Sequence, residues 1–518
     1  MSEPNGAVGR ERELVLPVRK YFKGSSDGKR PIRFDPLAKA RERYDVIVVG
    51  SGLAGLTAAN ILGRAGHSVC VLEQHYNFGG LATWFKRPGG HVFDVSLHGF
   101  PVGMRKTCRK YWNAEIAGRI VRLEGIRFAN PQFAFETSFT RANFTHRLVE
   151  VFGIARERVE AFFDHLRRME FYDASQETTG ELFERFFPGR NDVHRLLMEP
   201  ISYANGSGLG DPAKSYGIVF SNFMSEGVFT FTGGTDGLIT AMRAELERNR
   251  VELYNHAQVE RIVVEDGAVR GVLANGRFLG ARTVLSNANV KTTIERLVGV
   301  EHVSSAYLAA ARAVRLGNSS CQVFLGLARG AGIPFIGDLV FHSDRPTFDS
   351  DALSDFHGES RTFSVYYPKC RPLSDRHAIV SSTNARWQDW ADLDQPSYER
   401  EKECLADETV TCLERYLPGV SSKIEHREVA TPRTFAFYTQ HPLGTSFGTK
   451  FEGLQISLDL SKQIAGLFHA GSVGIIMSGW LGAANYGAIQ ANKVDAYLAQ
   501  PGAPGSSPAL VSSLGTRG

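Results

Sequence analysis

The chain has 518 residues, 43% of them apolar and 22% charged, with a formal net charge of +4. That is a globular composition, long enough for two or three domains, and a charge too mild, with no dense Lys/Arg run, to mark a nucleic-acid-binding protein. The six cysteines are scattered with no C-x-x-C pair, which argues against a zinc centre or a disulfide framework and fits a reducing compartment.

Residues 1–43 are polar, carry clustered charge and hold no apolar run. They predict a disordered lead-in without a secretory signal. From Tyr44 to Glu73 the pattern reads strand, glycine turn, helix, strand, acid. The strand is Asp45–Val49, and Gly50, Ser51, Gly52 and Gly55 form a G-x-G-x-x-G turn. Ala59, Leu62 and Gly66 follow at helical spacing, and Glu73 closes the next strand. Each part suits a dinucleotide. Gly50 allows the tight turn, Gly52 leaves room for a pyrophosphate, and Gly55 lets helix and strand pack closely. The helix N-terminus offers free N–H groups and partial positive charge. Glu73 can accept hydrogen bonds from ribose hydroxyls.

Further on, Gly79-Gly80 and Gly89-Gly90 predict turns, and His91–Asp94 a short strand. Residues 154–200 read as helical, with Val159, Phe162, Phe163, Leu166 and Met169 on one face and Leu182, Phe183, Phe186 and Phe187 in a second stripe. Both stripes read as core; the sharper alternative is that some of these aromatics line an apolar tunnel or touch a membrane. Short strands follow at Val251–Tyr254, Val259–Glu265, Val269–Leu273 and Thr283–Ser286. Asp266-Gly267 and Asn275-Gly276 mark hairpins and predict a three-stranded meander. Residues 300–450 mix strands (Cys321–Leu327, Thr362–Tyr367, Ala378–Thr383) with a helix at Tyr398–Tyr416, as in a separate, mostly antiparallel domain. Ile464–Asn492 contains no Asp, Glu, Lys or Arg and is long enough to cross a bilayer. Its six glycines divide it instead into a strand (Leu467–Ala470), a loop and a helix (Ala483–Leu498). The Pro/Gly/Ser-rich end from Pro501 predicts a loose tail.

Four blocks stand in order: VVGSGLAGLTAANILGRAGHSVCVLEQHYNFGG, GGTDGLITAM, ARTVLSNAN and GLFHAGS before a glycine-rich helix start. Together with TPRTFAFYT and GTSFG (residues 431–448), they resemble the FAD-dependent phytoene desaturase-like superfamily of carotenoid desaturases, carotenoid cis–trans isomerases and retinol saturases. The resemblance covers roughly 44–498. It implies an α/β chain: a Rossmann-like FAD/NAD(P)-binding fold with a mixed antiparallel-sheet substrate domain and a helical insertion. The implied divisions are a lead-in (1–43), three FAD-binding segments (44–140, 228–299, 455–498), a helical insertion (141–227), a substrate domain (300–454) and a tail (499–518). The implied cofactor is non-covalent FAD. Gly50, Ser51, Gly52 and Gly55 would hold its pyrophosphate and Glu73 its ribose, while Gly79, Gly80 and Leu81 would run along phosphates and flavin. Val259 would meet the adenine through its backbone, and Gly471 and Ser472 the ribityl–phosphate linkage, with the 480–486 turn beneath the flavin ring.

The implied activity is that of an FAD-dependent oxidoreductase on C–C or C=C bonds of an isoprenoid polyene. The reaction is left open between desaturation, saturation and isomerisation. The expected partners are a hydrophobic small molecule and a membrane surface, with no metal and no nucleic acid. The expected place is the cytoplasm, peripheral to the inner face of the membrane. Two alternatives stand beside this: an amine-oxidase-like flavoprotein with a smaller substrate, and a non-catalytic prenyl-binding chaperone of related fold. The chain departs from the family pattern where Phe93-Asp94-Val95-Ser96 replaces F-D-x-G and Gly482-Ala483-Ala484-Asn485 replaces a P-G turn. Ser96, Leu97 and His98 are therefore expected to line a substrate slot. Tyr438, His441, Trp480, Asn485 and Tyr486 are further candidates near the flavin, Asn485 alternatively as a helix cap, and Arg433 could meet a polar end group. None of them is assigned a catalytic role.

Overall fold

The structure is a computed structural model that describes residues 35–500 except 97, 98, 171–174, 368, 369, 373 and 475. Most of the predicted lead-in, the tail from residue 501, and Leu97 and His98 therefore lie outside the described residues. Two seven-stranded sheets organise the rest.

In the first sheet Arg43–Val49 lies between Val69–Leu72 and Arg277–Ser286, parallel to both. Glu252–Tyr254 extends the sheet beyond Val69–Leu72, again in parallel, and Leu467–His469 pairs with the C-terminal end of Arg277–Ser286. Parallel strands covered on both faces need unbroken apolar runs, and Val46, Ile47 and Val48 are fully buried. The predicted meander forms from Val259–Glu265, Ala268–Ala274 and Arg277–Ser286. Both of its turns place two successive residues at positive φ, Asp266 (51°) with Gly267 (71°) and Asn275 (47°) with Gly276 (76°). That is the backbone a tight hairpin requires. Helices Leu53–Arg64 and Gly479–Leu498 pack closely because Gly487 has no Cβ; one there would stand 2.2 Å from the Ala54 carbonyl oxygen.

The second sheet runs, in spatial order, Ile424–Ala430, Ser319–Leu327, Ala378–Ala385, Ser360–Tyr366, Leu339–Ser343, Ile126–Ala129 and Ala134–Thr137. Every pairing is antiparallel except Leu339–Ser343 with Ile126–Ala129. Its last two strands thus come from before the helical segment, far from the rest in sequence. Helix Gln395–Glu414 covers one face, where Val323, Leu325, Ile379 and Leu413 share a core. The other face turns toward the first sheet, with Phe324 and Val380 joining that sheet's core.

Five helices (Arg141–Glu150, Arg156–Arg168, Thr179–Phe186, Asn191–Asn205 and Ala213–Glu226) pack on the far end of the second sheet. Both aromatic stripes serve as core: Val159, Phe162, Leu182, Phe183 and Phe187 are fully buried. None of them lines the large cavity, and Met169 and Phe186 pack half-buried against the same core. Among the described residues no helix is long and apolar enough to cross a membrane. The uncharged 464–492 segment is a strand, a loop and a helix that begins at Gly479.

Candidate active site

The glycine turn leads from strand Arg43–Val49 into helix Leu53–Arg64. That helix has no side-chain cap and no acid in its first turn. Its leading N–H groups are thus available to an anion. The turn opens on a cavity of about 690 Å³. Asn287, two residues before the end of TVLSNAN, lies across the turn. With its amide oriented to satisfy both neighbours, it accepts from the Gly52 N–H at 2.8 Å and donates to the Ala470 carbonyl at 3.1 Å. Gly79-Gly80 packs from the other side: the Gly79 N–H donates to the Ser51 carbonyl at 3.1 Å, and a Cβ on Gly80 would stand 2.9 Å from the Gly52 Cα. Three separate segments thus converge where only glycine fits. This is a cradle shaped for a diphosphate, as an FAD-binding chain requires.

Glu73 sits beside the turn and is 6% exposed. It accepts from the Ser51 N–H (2.8 Å), the Ser51 hydroxyl (2.6 Å) and the His75 N–H (2.8 Å). The Gln74 backbone N–H also bonds to it, and Glu73 borders the cavity. Burial raises its pKa, against the opposing pull of the Ser51 and His75 hydrogen bonds. Of the residues expected to bind cofactor, Gly50, Ser51, Gly52, Glu73, Gly79, Gly80, Leu81, Val259 and Ser472 line the cavity. Gly55 and Gly471 stand behind it. A Cβ on Gly55 would come 2.4 Å from the Gly50 carbonyl oxygen, and one on Gly471 2.0 Å from that of Ala288. Both serve close packing that holds the lining residues in place.

Beyond the cradle the same cavity continues between the second sheet and helices Asn191–Asn205 and Ala213–Glu226. Ile201, Ile218, Val219, Phe223, Phe324 and Phe341 make its walls largely apolar. The candidates sort clearly. Tyr438, His441, Trp480, Asn485 and Ser96 line the cavity. Ser96 donates its hydroxyl to the Leu81 carbonyl at 2.7 Å, and the Trp480 Nε1–H donates to the Ser96 carbonyl at 3.3 Å. His441 keeps a hydrogen on Nδ1, bonded to the Thr445 carbonyl at 2.9 Å, and burial lowers its pKa. Asn485 lies inside its helix rather than at its start and accepts from the Thr107 hydroxyl at 2.9 Å, so it is no cap. Tyr486 is buried away from the cavity, its hydroxyl bonded to Ser457. Arg433 stands over the Tyr398 ring at 4.3 Å and donates to the Leu393 carbonyl, clear of the cavity.

Asp94, read in sequence only as the end of a strand, is a structural hub. It is 1% exposed and accepts from the Thr235 N–H (2.7 Å), the Thr235 hydroxyl and Arg371 (2.6 Å). The GGTDGL block thus docks on the F-D block. Away from the cavity, donor atoms of His357, Cys404 and Glu408 lie within 4.8 Å of one another, a grouping that the scattered sequence positions hide.

His469 ends the strand that delivers Gly471 and Ser472. Its Nε2–H donates to the Ala288 carbonyl at 2.9 Å, and its bare Nδ1 accepts from the Ser457 hydroxyl at 2.6 Å. Burial holds its pKa down to about 4 from 6.5. The unfolded ring takes up a proton near pH 6.5, whereas the folded ring resists until about pH 4. Its contribution is therefore whole above pH 6.5 and is lost as pH falls toward 4, at a cost of about 3 kcal/mol. We expect His469→Gln to flatten the fall in unfolding temperature between pH 7 and 4.5. Equal slopes in the two proteins would refute the assignment.

Comparison with known proteins agrees with this geometry. The family described as flavin containing amine oxidoreductase matches residues 53–489. The chain is 26% identical over 452 residues to prolycopene isomerase 2, chloroplastic, of an Oncidium hybrid cultivar, covering 78% of this chain and 75% of that protein. It is 49% identical to human all-trans-retinol 13,14-reductase over 57 residues, 11% of this chain and 9% of that one. The solved structure of putrescine oxidase bound to putrescine superposes with a TM-score of 0.61 at 13% identity, over 88% of this chain and 99% of that one.

Proposed function

The chain belongs to the flavin containing amine oxidoreductase family and is an FAD-dependent oxidoreductase, and from that premise we propose that it acts on C–C or C=C bonds of a hydrophobic isoprenoid polyene, by desaturation, saturation or cis–trans isomerisation. The observation that carries this reading is the single cavity that joins a glycine cradle and uncapped helix N-terminus to a largely apolar chamber. The likeness to prolycopene isomerase over most of the chain supports it.

In this reading Gly50, Ser51, Gly52 and the Gly79–Leu81 turn hold the pyrophosphate, Glu73 the ribose, Val259 the adenine and Ser472 the ribityl linkage. Asn287 keeps the cradle open, and Gly55 and Gly471 allow its close packing. Bound FAD supplies two-electron redox chemistry, which suits C–H bonds too weakly acidic for a side-chain base. The chain's own task is then to orient the polyene and exclude water. Ile201, Val219, Phe223 and Phe341 do so by enclosing the chain, while Trp480 and Ser96 hold each other at the cavity wall. His441, kept neutral by burial, offers a polar contact without a charge.

A substrate of this kind resides in a bilayer, so the proposal includes peripheral membrane association. Protein purified from its native host should carry a polyene or other isoprenoid in the organic extract, identified by mass spectrometry. It should also float with liposomes and be released by a high-pH carbonate wash. An extract free of isoprenoid, from protein loaded with FAD, would count against the substrate reading. Retention on the liposomes after the wash would count against a peripheral position.

A further inference from the structure

Helix Gln395–Glu414, which covers the second sheet, also meets the loop over residues 344–359. Glu401, Cys404 and Glu408 share the helix face on which that loop lies, since residues three and four apart on a helix are neighbours. His357 reaches them from the loop. Its Nδ1 stands 3.8 Å from Oε1 of Glu408, and the Cys404 thiol donates to that same oxygen at 3.5 Å. The donor atoms of all three lie within 4.8 Å of one another. Zinc(II) takes a tetrahedron of ligands with bonds of about 2.0 Å to nitrogen and oxygen and about 2.3 Å to sulfur, so the ligand atoms stand about 3.3 to 3.5 Å apart. Cys404 and Glu408 already have that spacing. His357, exposed on the loop, has to approach by about 0.5 Å.

The neighbours of this group suit a bound cation. The second ring nitrogen of His357, Nε2, faces Glu401 at 3.6 Å. A metal-bound histidine commonly gives its other N–H to a carboxylate, which fixes both ring and tautomer. The two nitrogens thus face the two partners that this arrangement needs. Arg361 stands 3.7 Å from the other oxygen of Glu408, Oε2, which leaves Oε1 to the group. An imidazolium between two glutamates would account for His357 and has no use for the thiol. Thiolate and imidazole select zinc(II) over magnesium or calcium, which take oxygen ligands. We propose that His357, Cys404 and Glu408 bind a zinc(II) ion, with water as the fourth ligand and Glu401 orienting His357. The loop bears on the cavity wall: Asn191 of helix Asn191–Asn205 donates to the Phe348 carbonyl at 2.9 Å, and Asn318 donates to the Ser354 hydroxyl at 2.7 Å. The ion pins this loop to helix Gln395–Glu414 and so braces the wall that carries Ile201 and Tyr203. No C-x-x-C spacing announces the site, because the fold alone brings its ligands together.

The test uses untagged, FAD-loaded, full-length protein, stripped of metal with a chelator and desalted. Zinc(II) is then titrated in competition with a chromogenic indicator. One equivalent should bind per chain, with a Kd of about 1 µM or tighter. His357→Ala and Cys404→Ala should each weaken binding by at least about 100-fold, and Glu401→Gln by about tenfold, while FAD content holds in all three. Cobalt(II) in place of zinc should give a thiolate charge-transfer absorption that persists in Glu401→Gln and vanishes in Cys404→Ala. In the unaltered protein zinc should shield Cys404 from iodoacetamide, read by peptide mass spectrometry, which needs no variant to fold. Absence of zinc uptake, an affinity unchanged in either alanine variant, or equal labelling of Cys404 with and without zinc would overturn the proposal. An affinity unchanged in Glu401→Gln would overturn the orienting role given to Glu401.

Discussion

Replacing Gly52 with alanine should strip the protein of FAD, and replacing Asn287 with alanine in the same chain should restore part of it. A Cβ on Gly52 would stand 2.6 Å from the Asn287 side-chain amide atom that faces it, the oxygen that accepts from the Gly52 N–H, closer than real Cβ contacts allow. Asn287 would have to move, breaking its bonds to the Gly52 N–H and the Ala470 carbonyl. Two such bonds contribute about 1 kcal/mol each, and the displaced amide would swing over the cradle. We expect Gly52→Ala to weaken FAD retention by about 100-fold, the equivalent of about 2.7 kcal/mol. Asn287→Ala alone removes the bonds but not the space, and should cost less. The double variant is the decisive one. If the clash is with Asn287, the double variant retains FAD better than Gly52→Ala alone. If the new methyl instead meets only the pyrophosphate, Asn287→Ala brings no recovery. The measurement is flavin fluorescence released by acid from protein purified and dialysed under identical conditions.

The largest loss of stability should come from Asp94→Ala. It would leave Arg371, 11% exposed at its side chain, without one of its two carboxylate partners, and the Thr235 N–H without an acceptor at the start of helix Gly234–Arg248. Removing one member of a buried ion pair typically costs 3–5 kcal/mol, about the value expected here. Gly234 shows how tightly the group is packed, since a Cβ there would stand 2.1 Å from the Arg371 guanidinium. Replacing both partners, as Asp94→Leu with Arg371→Met, should recover much of the loss, because no unpaired charge then remains. Thermal unfolding of the three proteins gives the comparison. A single variant no worse than the double would show that the pair is not what joins the two blocks.

The parts of the fold set by local chemistry were legible in the sequence. Gly50, Gly52 and Glu73 announced the strand–turn–helix–strand unit, and the Asp266-Gly267 and Asn275-Gly276 pairs located both meander turns, because such turns need residues that accept positive φ. The bland reading of the aromatic stripes at 159–169 and 182–187 was the right one: helical periodicity reports a buried face but not what buries it. The glycines that split 464–492 likewise marked a strand and a helix, although that helix begins at Gly479 rather than Ala483. What long-range contact decides was not legible. Ile126–Ala129 joins a sheet whose neighbouring strand begins at Leu339, and nothing in its four residues points there. Ile424–Ala430 carries charges at Glu425, Arg427 and Glu428 and, among the described residues, pairs only along one side, so it reads poorly as a strand. Asn287 stood in a recognised block, yet its hold on Gly52 depends on two strands meeting in parallel. Phe341, Thr362, Ser382, Gln322 and Ala430 come side by side on the cavity wall only once five strands are in register.

The account turns on the substrate, and chromatography of reaction products tests it most directly. FAD-loaded protein, oxidised in one sample and dithionite-reduced in another, is incubated without oxygen with prolycopene, with all-trans-retinol and with putrescine. The account predicts that at least one polyene returns with altered double-bond geometry or number while putrescine is recovered intact. Consumption of putrescine with both polyenes unchanged would contradict it and place the protein among amine-oxidising flavoenzymes.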